Sequence, residues 1–66
     1  MAMLKVIEVL AESTKSWEDA AQTAVAQANN TLRNVRSIYI ENMEATVVDG
    51  KLKSYRINGK ISFALE

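Results

Sequence analysis

The stretch Ser16 to Val35, SWEDAAQTAVAQANNTLRNV, decides the fold. Trp17, Ala20, Ala21, Ala24, Val25, Ala28, Leu32 and Val35 recur at steps of three and four, which lines them along one side of a helix of about 3.6 residues per turn. Four of these eight are alanine. A stripe of small side chains lets a sheet approach the helix closely but brings little apolar area of its own, at about 25 cal/mol per Å² buried. The bulk of the core must therefore come from the sheet. Ser16 followed by Asp19 has capping-box spacing, with Asp in place of the usual Glu or Gln. Glu18 and Asp19 suit the positive end of the helix dipole and Arg33 the negative end, while Asn34 is the residue best able to take a left-handed terminating position.

On the N-terminal side, Met3 to Leu10 reads as a strand whose apolar residues fall on both faces: Leu4, Val6 and Leu10 on one, Met3, Ile7 and Val9 on the other. A strand of that kind belongs where both faces are covered. One helix covers one face, so the second cover is expected to be another subunit. Ala11 to Lys15 reads as a polar connection into the helix.

On the C-terminal side, two strand-like runs, Ser37 to Val48 and Lys51 to Leu65, are joined by Asp49-Gly50, a strong hairpin signal. Counting outward from a two-residue loop places Ile38 opposite Ile61, Ile40 opposite Gly59, Asn42 opposite Ile57 and Glu44 opposite Tyr55. Along the last run Tyr55, Ile57, Ile61, Phe63 and Leu65 alternate with polar or small residues, so the odd-numbered face is expected to meet the helix. The other face would then carry Ser37, Tyr39, Glu41, Met43, Ala45 and Val47 beside Leu52, Ser54, Arg56, Asn58, Lys60 and Ser62. The expected fold is α+β: a β-α-β-β order in which a three-stranded antiparallel sheet wraps one helix, as one domain over residues 1–66. The last strand, at about 3.3 Å per residue, approaches 50 Å, and the helix reaches about half of that. A sheet that overhangs its helix with apolar residues needs a partner, and a closed homo-oligomer supplies one.

Composition narrows the function. The chain has 66 residues and neither cysteine nor histidine. That removes disulfides, thiolate or imidazole metal sites, cysteine nucleophiles and histidine acid–base chemistry. A domain this small usually needs a staple, and self-association is the one left. Formal net charge is zero and neither sign runs in a block, so no electrostatic grip on nucleic acid or an anionic membrane is expected. No apolar stretch approaches about 18 residues and the N-terminus lacks signal-peptide character, which makes a cytoplasmic protein the expectation. No nucleophile stands beside a base. Tyr39 and Tyr55 with Lys60 are the available acid–base groups, and sheet packing accounts for them, so an enzyme is not expected.

KVIEVLAEST (5–14), SWEDAA (16–21), LRNVR (32–36), VVDG (47–50) and SYRINGKISFALE (54–66) together resemble, in order and spacing, the dodecins, across nearly the whole chain. The resemblance implies twelve copies of a β-α-β-β subunit in a hollow shell of cubic symmetry, a homododecamer. Flavin-binding dodecins store or buffer paired flavins between subunits, using a tryptophan at the start of the second strand and a glutamine in the third. By position these correspond to Ser37 and Arg56, so both signature residues are replaced. Stacking on an aromatic ring is worth about 1–3 kcal/mol by analogy with nucleobases, and serine supplies none of it. Arg56 could still stack by its guanidinium plane or meet the phosphate of FMN. The implied ligand face comprises Ser37, Tyr39, Arg56 and Asn58, with riboflavin or FMN as the family ligand. Trp17, at the helix N-terminus, is no substitute and reads as a core or interface aromatic. SWE at the helix start and YRI in the last strand look more like the flavin-free branch called calcium dodecins.

Calcium takes six to eight oxygens at about 2.3–2.6 Å, and no loop here has EF-hand spacing. Glu8, Glu12, Asp19, Glu41, Glu44, Asp49 and Glu66 are scattered. A symmetry axis could gather one carboxylate from each of several chains. Glu41 is the metal candidate, with cross-strand pairing to Arg56 or Lys60 as its competing role. Asp49 is a turn residue. The expected function is a ligand-binding or storage shell with flavin binding weakened or lost. The alternatives are a structural or calcium-associated shell without an organic ligand, and a flavin store with a modified pocket.

Overall fold

The computed structural model describes residues 3–65. The chain runs β1 (Met3–Ser13), α1 (Trp17–Thr31), β2 (Val35–Val48) and β3 (Lys51–Leu65). The three strands form one antiparallel sheet in the order β1-β3-β2, with α1 packed across one face. The molecule measures 51 × 20 × 13 Å, so the overhang expected from strand and helix lengths is present.

The core is thin and comes from β3. Ile57, Ile61 and Phe63 are buried on its odd-numbered face, and Ala20 is the buried residue of α1. The alanine stripe therefore works as expected, as a low ridge against which the sheet supplies the volume. On β1, Ile7, Val9 and Ala11 stand opposite Ile61, Gly59 and Ile57 on the helix side, whereas Leu4, Val6 and Leu10 point to the other face and stay exposed.

The entry to α1 is more tightly built than a capping box. Ser16 Oγ accepts from the Asp19 amide at 3.0 Å. The Asp19 carboxylate does not reach back to Ser16. Its Oδ2 accepts from the hydroxyl of buried Ser13 at 2.6 Å, and the same Ser13 oxygen accepts from the amides of Lys15 and Ser16. Because Ser13 completes the network, β1 runs through it, and the expected connection from Ala11 shortens to residues 14–16. The helix also ends earlier than Val35. The Leu32 amide closes on Ala28 O at 2.8 Å, and Leu32 itself is already extended. Asn34 takes the left-handed conformation (φ 61°) and Val35 enters β2 opposite Phe63. Arg33 consequently lies outside the last helical turn.

The Asp49-Gly50 turn has φ of 54° and 75°, both left-handed, which is the backbone a two-residue hairpin loop demands. Register follows the count at Val48–Lys51 and Val47–Leu52 and again from Ile40–Gly59 to Ser37–Ser62, but not between these two stretches. Irregularities at Thr46/Val47 and at Ile40/Asn42 slide the intervening stretch by one residue. Asn42 therefore faces Asn58 and not Ile57, Met43 faces Ile57, Glu44 faces Arg56 and not Tyr55, and Ala45 faces Tyr55. A one-residue slip exchanges the faces. Met43 and Ala45 move to the helix side, and Asn42, Glu44 and Thr46 replace them on the outer face.

Candidate functional site

The outer face of the sheet is organised in rows crossing all three strands. Arg56, on central β3, stands between Glu12 of β1 and Glu44 of β2. Its Nε donates to Glu12 Oε1 at 3.0 Å, and its Nη1 lies 3.9 Å from Glu44 Oε1. Hydrogen bonding from the Ser54 hydroxyl first, and from the Arg56 guanidinium second, holds the Glu12 carboxyl below its ordinary range. The Ser54 hydroxyl lies 2.6 Å from that of Thr46, and the Ser54 amide donates to Thr46 Oγ1 at 3.1 Å.

Asn58 stands in the next row between Leu10 and Asn42, and its Oδ1 is buried without a hydrogen-bond partner. Lys60 follows, between Glu8 and Tyr39. Its Nζ is 3.8 Å from Glu41 Oε1, so Glu41 pairs with Lys60 while Arg56 is taken by other carboxylates. Tyr39 is 65% exposed. Beyond it Ser37 faces Ser62, their hydroxyls 2.5 Å apart.

Ser37, Tyr39, Asn58 and Arg56 thus share one face but not one point. Six residues of β3 separate Arg56 from Ser62, the partner of Ser37, a span of about 20 Å at 3.3 Å per residue. Within one chain Ser37 and Arg56 therefore do not converge on one point. Two hollows lie elsewhere: a groove of about 470 Å³ between β1 and α1, and one of about 360 Å³ where the end of α1 meets Phe63 to Leu65.

Among the described residues, no three acidic side chains converge on a point that would hold a metal ion. Glu12 and Glu44 are on Arg56, Glu41 on Lys60 and Asp19 on Ser13. Asp49 occupies the turn, and Glu66 lies outside the described residues. Trp17, as expected, is a packing aromatic. Its ring meets Tyr55 edge-on at 4.9 Å, and its indole N–H donates to Glu44 O at 2.9 Å. The Glu44 arm of the Glu12–Arg56–Glu44 clasp escaped the sequence reading because it exists only after the register slip. Gly59, a glycine inside a strand, was the available signal for irregular pairing nearby.

The dodecin family model matches residues 3–66. The calcium dodecin of Mycobacterium tuberculosis is 31% identical over 65 residues, covering 98% of this chain and 92% of that protein. The dodecin of Thermus thermophilus is 29% identical over 62 residues, covering 94% and 90%. Among solved structures, the tt0972 protein from Thermus thermophilus superposes with a TM-score of 0.93 at 27% identity, covering 100% of this chain and 97% of that one. The M. tuberculosis calcium dodecin, described as calcium-chelating with a novel calcium-binding site, superposes at 0.82 with 32% identity, covering 97% and 91%. No helix among the described residues is long and apolar enough to cross a membrane. With topology, the overhanging sheet and near-complete coverage in agreement, the chain belongs to the dodecin family of small, non-catalytic, homo-oligomeric shell proteins.

Proposed function

We propose that this chain builds a homododecameric shell that associates with calcium and no longer stores flavin. The Glu12–Arg56–Glu44 clasp carries the reading. The place where the family resemblance puts a flavin-holding glutamine is filled by a guanidinium already closed by two carboxylates. At the matching end of the face, Ser37 bonds to Ser62 and offers no ring. Losing about 1–3 kcal/mol of stacking lowers affinity roughly 5- to 150-fold before any cost of opening the clasp.

Calcium needs more oxygens than any cluster in one chain provides, so its site would lie where copies meet. Glu41 is the carboxylate we assign to it. Its pair with Lys60 is long and exposed, the kind worth about 0–1 kcal/mol, and is readily exchanged for a divalent ion. Similarity to a calcium-chelating relative supports calcium as the ion.

Calorimetric titration with calcium, beside fluorescence titrations with riboflavin and FMN, tests this. The expected result is calcium binding at less than one ion per chain, weakened by Glu41→Gln, with neither flavin quenched at micromolar protein. Quenching of either flavin at that concentration would overturn the reading and restore Ser37 and Arg56, with Tyr39 and Asn58, as a modified flavin pocket.

A further inference from the structure

The chain has two glycines, and each follows an Asx residue: Gly50 after Asp49 and Gly59 after Asn58. In an Asx-Gly pair the main chain can attack its own side chain, because glycine lacks the Cβ that would crowd the attacking amide nitrogen. The fold treats the two pairs in opposite ways.

Asn58-Gly59 lies within β3, the central strand. Gly59 is buried and paired with Val9 of β1 on one side and Ile40 of β2 on the other, and the side-chain oxygen of Asn58 is buried as well. The Tyr39 carbonyl oxygen stands 2.6 Å from where a Cβ on Gly59 would lie, so the main chain here has no room to swing. Bringing the Gly59 nitrogen onto the Asn58 side chain requires both neighbouring strands to leave, an opening close to unfolding the sheet.

Asp49-Gly50 is held far less. The last β1–β3 pair is Ser13 with Tyr55, so residues 47–52 have no third strand beside them. Val47, Val48 and Leu52 are exposed, and a Cβ on Gly50 would meet nothing within 4 Å. Val48 pairs with Lys51 across the loop, which leaves the Gly50 amide outside the ladder. A ribbon of two strands is marginal in water, so opening it costs little. Asp49 also sits at φ 54°, a left-handed conformation unfavourable to a residue with a Cβ, and leaving the turn relieves it.

We propose that Asp49 is a site of spontaneous succinimide and isoaspartate formation, and that the fold shields Asn58 from the same reaction. The Gly50 nitrogen attacks Asp49 Cγ. The N–Cγ bond forms, a Cγ–O bond breaks, and the hydroxyl leaves with the amide proton as water. Water then adds back to the ring. Opening at Cγ restores aspartate, and opening at the Asp49 main-chain carbonyl leaves Gly50 joined through Cγ. Nothing is oxidised or reduced, and the mass is unchanged. The isoaspartyl link adds an extra carbon to the main chain of a loop whose two residues are both held at positive φ, so the Val48–Lys51 closure is lost. The inference depends on neither calcium nor flavin.

The purified protein is kept in warm neutral buffer with and without denaturing urea, then mapped by peptide mass spectrometry with electron-transfer fragmentation, with isoaspartate counted by protein isoaspartate methyltransferase. The folded protein should accumulate isoaspartate at Asp49 while Asn58 keeps its amide. In urea the order should reverse, Asn58 losing ammonia first, because an unhindered asparagine closes the ring faster than an aspartate. Asp49→Glu should remove the turn signal, since the longer side chain closes a ring far more slowly. Deamidation of Asn58 ahead of Asp49 in the folded protein, or the same order with and without urea, would overturn the inference. So would a folded protein still free of isoaspartate at Asp49 long after Asn58 has reacted in urea.

Discussion

At the scale of single residues, Gly59 shows how one missing side chain shapes the sheet. A Cβ there would lie 2.6 Å from the Tyr39 carbonyl oxygen, closer than such atoms approach, with the Tyr39 carbonyl carbon at 3.5 Å and Ile38 Cγ1 at 3.6 Å. The obstacle is backbone, so the neighbour cannot rotate away. The sequence places Gly59 opposite Ile40 and suggests that it spares room for that side chain. The pairing is as expected, but the space is needed by the β2 main chain just before its irregularity at Ile40/Asn42. The two reasons predict different variants. If only the Ile40 side chain mattered, alanine would be tolerated. Because the Cβ itself meets the carbonyl, Gly59→Ala should already do most of the damage of Gly59→Val, each costing about 1–3 kcal/mol in denaturant unfolding. A Gly59→Ala midpoint equal to wild type would contradict the close approach.

At the scale of elements, the turn, the helix start and the strand alternation were legible because each depends on neighbours in sequence: Asp49-Gly50, Ser16 with Asp19, and the odd-numbered apolar residues of β3. What depends on pairing between strands was not. Counting from a turn assumes an unbroken ladder, and the irregularities in β2–β3 break it, so Met43 and Ala45 of β2 were assigned to the wrong side. Glu44 is the clearest case, moving from opposite Tyr55 to opposite Arg56 and closing a row that ties β1 and β2 to β3.

That row has a pH signature. Hydrogen bonds from Ser54 and Arg56 hold the Glu12 carboxyl below its ordinary range. A group with a depressed folded-state pKa contributes stability above its unfolded value, and that contribution is lost as pH falls through the folded value. Wild type should therefore lose stability more steeply than Glu12→Gln on acidification below the ordinary carboxylate range, with the two unfolding midpoints converging in stronger acid. Midpoints that stay parallel across that range would remove Glu12 from the account.

At the scale of the whole molecule, the exposed outer face, the uncovered hairpin tip and the open groove are features of a part and not of a finished protein. The need for partners was legible in the sequence from β1, whose apolar residues face both ways, and from a strand longer than its helix. The ligand face was less legible, because Arg56 and Ser62, the partner of Ser37, lie about 20 Å apart along β3. The most direct test of the account is native mass spectrometry of the protein as purified. The predicted species is twelve times the 7.3 kDa chain, with no mass increment from bound flavin. A monomer or dimer, or a twelve-copy shell carrying stoichiometric flavin, would contradict it.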